Sequence, residues 1–322
     1  MDPRAIIDDA LEVTVVASFT NVGLRVRRRI FAWQPIPDGS LRHRTALVTG
    51  PTSGLGRAAA DALAGLGARV ILAGRSADRL GRVRDELVGQ HGEDRFPLVV
   101  VDTGSLASVR AAAADIRSAE PRLDVVVDNA GAIFPTRTLG VDGIEATFAT
   151  LVVGPFALVT ELLPLLRATP AAQVIAVTSG GMYTQALPLD DLGFSRGAYE
   201  GARAYARAKR AQTALIREWA RREAANGVRF NAMHPGWADT PGLAESLPGF
   251  QAAMRRWLRT PAEGVDTIAW LAADAEARRW TGRLFLDRRP RPFDRIPGTR
   301  LSAADRRRLW DIVGEMAGAT PA

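Results

Sequence analysis

Thr45-Ala-Leu-Val-Thr-Gly50-Pro-Thr-Ser-Gly54-Leu-Gly56 is the stretch on which the fold turns. Residues 45–49 are short, apolar and rich in β-branched side chains, and read as a strand. The chain then turns through Gly50-x3-Gly54-x-Gly56, and helical sequence follows at once. Strand, glycine turn and helix in that order are the setting that gives such a motif meaning. Glycines let the backbone bend sharply and let a pyrophosphate come close. The helix N-terminus then offers free N–H groups and a positive dipole end to the phosphates. Gly50, Thr52, Ser53, Gly54, Leu55 and Gly56 are therefore candidate dinucleotide-binding residues. Three glycines alone would equally suit a plain turn, so the reading depends on what lies further along the chain.

Outward from this turn a regular alternation runs. Strands are expected at 45–49, 69–73, 97–101, 124–128, 173–178, 228–233 and 283–286. Helices are expected near 54–66, 76–90, 105–119, 142–167, 199–225 and 261–274, with a short one near 302–317. Runs such as Leu98 to Val101 and Val125 to Val127 are apolar on both faces, as central parallel strands are. The pattern predicts a doubly wound α/β Rossmann fold with a central, mostly parallel seven-stranded sheet. Residues 1–40 form an N-terminal helical extension and linker, 41–290 the dinucleotide-binding catalytic domain, and 291–322 a C-terminal tail with a short helix.

The second strand ends Leu72-Ala-Gly-Arg75. An acid at this point accepts ribose hydroxyls in sites that prefer NAD, whereas an arginine suits the 2′-phosphate of NADP. Gly74 holds the acid's position and Arg75 follows, so NADP is favoured over NAD. The bland alternative for Arg75 is a surface loop charge. Asp102, ending the third strand, either contacts the adenine or caps the helix beginning near Ser105. Asn129, Ala130 and Gly131 follow the fourth strand, small residues where a cofactor ribose would fit.

Tyr205 and Lys209 are four apart in a helical stretch, which sets them on one face about one turn apart. A nearby ammonium stabilises phenolate and would lower the tyrosine from its reference near 10. A tyrosine tuned in this way can donate or accept a proton near neutral pH. Ser179, just past the fifth strand, can hydrogen-bond a substrate oxygen. Tyr-x3-Lys is a common accident on helices, and Tyr199 with Arg203 makes a decoy pair of the same spacing. One observation separates the two pairs: Lys209 is the only lysine, and the other 41 cationic residues counted as lysine or arginine are all arginine. Lysine is a compact point charge with three donors, which a planar guanidinium cannot replace in a tight site.

From about residue 43 to 287 the chain resembles the short-chain dehydrogenase/reductases. The pieces are Thr49-Gly50-x3-Gly54-x-Gly56, Asp128-Asn-Ala-Gly131, Ser179, Tyr205-x3-Lys209 and Pro235-Gly236-x3-Thr240, in the family's order. The resemblance implies that Tyr205 is the general acid/base, Ser179 orients the carbonyl and Lys209 holds the nicotinamide ribose. It also implies that Asn129 braces the central strands and that Pro235, Gly236 and Thr240 border the cofactor, Thr240 at its carboxamide or phosphates. A narrower likeness to one branch rests on Thr178-Ser-Gly-Gly-Met182, on His234 to Gly242 with Leu247-Pro-Gly-Phe250, and on Gly282 to Arg288. One departure stands out: where the family carries a further asparagine that holds a water beside the lysine, this chain has Leu151. The expected activity is hydride transfer between NADP(H) and an apolar carbonyl or alcohol. The alternative is a dinucleotide-binding sensor or scaffold with little turnover, for which Leu151 is the best argument.

Composition narrows the rest. There is no cysteine, so disulfides and thiolate-bound metals are excluded. His43, His91 and His234 lack ligand spacing, and no metal is expected. The net charge of +7 comes from scattered arginines that suit solvated helix faces, and no nucleic-acid-binding module accompanies it. In residues 1–33, apolar positions from Ile6 to Trp33 fall largely at helical spacing and end in Arg25 and Arg27 to Arg29, with Pro35 and Pro37 stopping the helix. Asp8, Asp9 and Glu12 argue against a signal peptide. The segment docks on the domain, lies on an anionic membrane surface or meets a partner protein, docking being favoured. The expected location is cytoplasmic, free or peripheral at the inner face of a membrane. A homodimer through helices 142–167 and 199–225 is the expected assembly if the extension leaves that face open.

Overall fold

The computed structural model describes residues 2–92 and 95–318. Met1, residues 93–94 and residues 319–322 lie outside it, and with them the outermost ends of the expected extension and tail. Among the described residues eight strands form one sheet. They are β1 (Thr45–Thr49), β2 (Arg69–Gly74), β3 (Leu98–Val100), β4 (Val125–Asp128), β5 (Gln173–Val177), β6 (Arg229–Met233), β7 (Arg283–Leu286) and β8 (Arg289–Arg291). Their order is β3-β2-β1-β4-β5-β6-β7-β8, parallel throughout except that β8 runs antiparallel to β7. The seven strands expected are all present, and β8 is the correction. The chain doubles back through Asp287 and Arg288, both at positive φ, and Arg289-Pro-Arg291 pairs with β7. Three residues, two of them arginine and one proline, show no apolar alternation. Only an edge strand tolerates such a sequence.

Before the sheet come α1 (Pro3–Val13), α2 (Val15–Phe19) and α3 (Asn21–Ile30). Within it are α4 (Gly54–Gly65), α5 (Ala77–His91), α6 (Leu106–Ala119), α7 (Ala146–Phe148), α8 (Gly154–Ala168) and α9 (Gly201–Arg222). Then come α10 (Pro241–Ser246), α11 (Pro248–Met254), α12 (Pro261–Ala273) and α13 (Ala303–Met316). Side chains alternate along each strand and feed two cores. Leu47, Ile71 and Val126 meet α6, α8 and α9 on one face; Ala46, Val48, Val70 and Leu72 meet α4, α5 and α12 on the other. The strand order reverses between β1 and β4, and a cleft opens there at the carboxyl ends, as such sheets dictate.

Three further features bear on function. The helix expected at 142–167 is interrupted by a π turn over Ala149–Val153. Pro155 has no N–H to give the carbonyl four residues back, and a side chain on Gly154 would strike the Thr103 carbonyl at 1.8 Å. Ala146–Ala168 is long and apolar enough to cross a membrane, but 72% of its apolar window is buried, as befits a core helix. Finally, α13 lies across α8 and α9, where Trp310 packs on Phe156 and Trp219 at centroid distances of 4.8 and 4.5 Å. The face expected to pair two subunits is thus covered by this chain's own C-terminal helix.

The N-terminal residues dock on the sheet's far end. Phe19 and Leu24 are buried, and Arg27 is fully enclosed. Its guanidinium donates to Asp8 at 2.7 Å, Glu12 at 2.6 Å and Asp287 at 2.7 Å. Arg259 donates to the same Asp287 at 2.6 and 2.9 Å, and Arg291 to Asp8 at 2.8 and 2.9 Å. Arginine on solvated helix faces therefore describes Arg25, Arg28 and Arg29, which are exposed, but not Arg27, Arg259 or Arg291. Burial pushes Asp287 up, but Arg259 and Arg27 more than offset it, and the carboxyl stays below its ordinary range.

Candidate active site

The cleft encloses about 1040 Å³ and runs from Arg75 at one end to Ser179, Tyr205 and Lys209 at the other. Its floor is the turn after β1. Gly50 and Gly54 have positive φ, and a Cβ on Gly56 would lie 2.0 Å from the Gly50 carbonyl oxygen, so only glycine closes this turn. Asn129 braces it from the end of β4. Its side-chain amide donates to the Thr49 and Gly50 carbonyls at 2.9 and 3.3 Å. The Thr49 hydroxyl in return accepts from the Asn129 and Ala130 N–H groups at 3.0 and 2.9 Å. A cradle bare of side chains, backed by the start of α4, fits a dinucleotide pyrophosphate.

All but one of the residues expected at the cofactor line this cleft: Gly50, Thr52 to Gly56, Arg75, Asn129, Ala130, Gly131, Pro235, Gly236 and Thr240. Arg75 is exposed and stands beside Ser76 and Arg79. Asp102 is not among the lining residues. Its carboxylate accepts from the Gly104 N–H at 2.9 Å, while Ser105 caps α6. Val101 and Thr103 face the cleft in its place.

At the other end Tyr205 and Lys209 project from α9, the Lys209 Nζ lying 5.8 Å from the tyrosine ring centroid. Lys209 is buried; its Nζ donates to the Val177 carbonyl at 2.7 Å and to Gln212 Oε1 at 3.2 Å. Gln212 Nε2 donates onward to Asp128 Oδ2 at 2.6 Å. Burial draws the Lys209 ammonium down to about 8, against an upward pull from Asp128. Burial likewise raises the Asp128 carboxyl, offset in part by Lys209 and the Gln212 hydrogen bond. Ser179 accepts from the Gly181 N–H at 3.2 Å and lines the cleft beside Tyr205. The expectation that Lys209 lowers the Tyr205 hydroxyl is corrected. Burial pushes that hydroxyl up to about 12, and Ser179 draws it back only in part.

The decoy pair separates cleanly. Tyr199 precedes α9 and is tied to structure, donating to Glu145 at 3.0 Å and bonded to Thr147 at 2.9 Å. Leu151 sits fully buried in the π turn, its Cδ2 2.7 Å from where a Cβ on Gly131 would be. The neighbouring Thr150 faces the cleft instead.

Sequence reasoning missed the residue that shapes the far wall. A Cβ on Gly180 would stand 2.4 Å from the ring of Phe19. The Phe19 carbonyl also accepts from the Trp237 N–H at 2.8 Å, and its ring packs at 4.5 Å on His234. One residue of the extension thus touches both the 179–184 and the 234–240 segments that border the cleft. Burial, aided by Arg259, draws His234 down to about 3, so its imidazole is neutral and accepts from the Gly236 N–H at 3.3 Å.

Comparison with known proteins agrees with this architecture. The sequence profile described as short chain dehydrogenase matches residues 44–249. Dehydrogenase/reductase SDR family member 12 of Bos taurus is 38% identical over 277 residues, 85% of this chain and 86% of that one. Retinol dehydrogenase 14 of Mus musculus is 34% identical over 300 residues, 87% of this chain and 88% of that one. Among solved structures, the RhlG/NADP active-site complex of Pseudomonas aeruginosa superposes with a TM-score of 0.63 at 28% identity, covering 78% of this chain and 96% of that one. With the glycine turn, the strand order and these relatives in agreement, the chain belongs to the short-chain dehydrogenase family and is a dehydrogenase/reductase that binds a nicotinamide dinucleotide.

Proposed function

We propose that the protein is an NADP(H)-dependent oxidoreductase that interconverts an apolar carbonyl compound and its alcohol, with Tyr205 as general acid/base. The observation that carries this reading is the meeting of Ser179, Tyr205 and Lys209 at one end of a cleft whose other end is the glycine turn and Arg75. Bound NADPH supplies the hydride. The chain's own residues do the rest. Ser179 hydrogen-bonds the carbonyl oxygen and orients it. Tyr205, protonated at neutral pH, gives that oxygen its proton as negative charge develops. Lys209 holds the nicotinamide ribose beside it. Gly50, Thr52, Ser53, Gly54, Leu55 and Gly56 border the pyrophosphate, Asn129 to Gly131 the ribose, and Pro235, Gly236 and Thr240 the carboxamide side. Ile133, Trp237, Leu243 and Leu247 line the substrate end and favour an apolar body; retinol, named for one relative, is an alcohol of that kind.

The test is NADPH oxidation against a panel of apolar aldehydes and ketones. Tyr205→Phe should fold and bind NADPH but lose about 10²–10⁴-fold in turnover. Tyr199→Phe, a loss of the same atom outside the cleft, should keep most activity. A Tyr205→Phe protein as active as the parent would overturn the assignment. The second reading, a sensor with little turnover, draws on Leu151. Tight NADPH binding with no turnover of any panel member would favour it.

The exposed Ile6, Ile7, Val13, Val15 and Val16 on α1 and α2, with Arg25, Arg28 and Arg29 on α3, suit peripheral contact with an anionic inner membrane face, the cytoplasm being the compartment. Full-length protein should pellet with anionic liposomes, less so as salt rises. Replacing Val13 and Val16 by Ser should abolish pelleting without changing activity. Parent protein that stays in the supernatant would end this part of the reading.

A further inference from the structure

The lone lysine stands at one end of a buried chain of polar groups. Lys209 Nζ gives one hydrogen bond to Gln212 Oε1, and the Gln212 amide gives another to Asp128. Only one amide orientation serves both neighbours, because an ammonium needs an acceptor and a carboxylate a donor. Lys209, Gln212 and Asp128 are each less than a tenth exposed. Burying a lysine among apolar neighbours disfavours its charge, and only an opposite charge or hydrogen bonds to the charged form restore it. Tyr205 on α9 and Asp128 on β4 are the titratable groups that face Lys209 among the described residues. β5 offers the Val177 carbonyl, and Leu151 of the π turn lies behind Gly131, where a Cβ would be 4.0 Å from Lys209 Nζ. The one carboxylate within electrostatic reach is therefore Asp128.

We infer that Asp128, acting through Gln212, is a positioning residue that keeps Lys209 charged and in place beside Tyr205, where Leu151 contributes no polar group. This rests on the proposed function only for its catalytic consequence. The arrangement itself can be read without turnover, because one lysine gives one side-chain signal. Protein grown on ¹³C/¹⁵N-lysine reports the Lys209 titration directly by NMR, with and without bound NADPH. In the parent, the Cε resonance should titrate near 8. In Asp128→Asn, which keeps the shape and an acceptor for Gln212 but removes the charge, the midpoint should fall by about one pH unit. In the double variant Asp128→Asn with Gln212→Glu, a carboxylate stands directly against Lys209, and the midpoint should return to the parent value or above it.

The rate of carbonyl reduction should follow the same order. In the parent it declines as pH rises through about 8, since Lys209 loses its charge there. In Asp128→Asn that decline moves to lower pH, and the double variant restores it. A role in folding alone would instead lower the rate equally at every pH and leave the NMR midpoint where it was. Should Asp128→Asn fail to fold, Gln212→Met asks the same question by cutting the link, with a lowered midpoint expected. A parent-like Lys209 midpoint in whichever variant folds overturns the inference, even if Tyr205→Phe is inactive and the proposed function stands. An active Tyr205→Phe overturns that function and leaves the NMR result to be judged alone.

Discussion

Arg75 stands exposed at the cleft end of β2, with Gly74 where an acid would meet ribose hydroxyls. A charge-assisted hydrogen bond contributes about 1.5–3 kcal/mol, so Arg75→Ala should weaken NADPH about tenfold to a hundredfold. NADH, which has no phosphate to lose, should bind as before, and fluorescence titration of both cofactors would show it. Equal affinity for the two in the parent would remove the basis for the preference. Leu151→Asn sets a polar amide against Gly131 and Lys209. If that amide finds no partner it costs about 1–3 kcal/mol, read as a lower Tm. If it gathers water beside Lys209, turnover should hold or rise; a folded variant slower at every pH would count against that account. At this scale the sequence was most legible where chemistry restricts the choice. A solitary lysine one turn from a tyrosine, and glycines where no Cβ fits, announce themselves. Asp128 and Gln212 did not, because an acid ending a strand and a glutamine on a long helix look ordinary until the fold joins them.

The strands and most helices follow from periodicity, and the interruption at 149–153 is the instructive exception. Ala149 to Leu158 is apolar enough to read as continuous helix, yet Pro155 and the contact between Gly154 and Thr103 rule that out. The extension was harder. Its apolar spacing announced helices but not their destination, because the deciding groups are acids and an arginine that look like surface charges one at a time. Arg27→Met should be strongly destabilising, by about 3–5 kcal/mol, since it takes from the buried Asp8 and Asp287, and from the half-buried Glu12, the cation they share. Thermal unfolding would show it, and a Tm within a degree or two of the parent would contradict the arrangement. Phe19→Leu is the milder probe. It keeps the core apolar but withdraws the ring from Gly180 and His234, so turnover should fall by more than the loss of stability explains.

For the whole molecule, the decisive covering is α13 over α8 and α9. Arg222 stacks on Trp310 at 4.4 Å, and Arg110 donates to the Ala317 carbonyl at 2.8 Å, so the covering helix is held at both edges. A chain ending at Arg300 would bare Phe156 and Trp219, and light scattering should show it self-associating where the full chain does not. Full-length protein that already elutes as a dimer with α13 in place would refute this. The Arg27 cluster sets a different kind of constraint, one of timing. Arg27 and Asp287 are 260 residues apart, yet each needs the other. The ribosome delivers Arg27 early and Asp287 late, and at roughly 5–20 residues per second the interval is about 13–52 seconds. Until Asp287 emerges Arg27 lacks that partner, and until Gly180 emerges, earlier in the same interval, Phe19 has no loop to lean against. A message that stalls or ends before Asp287 therefore yields a polypeptide whose opening segment lacks this partner and is bait for chaperones.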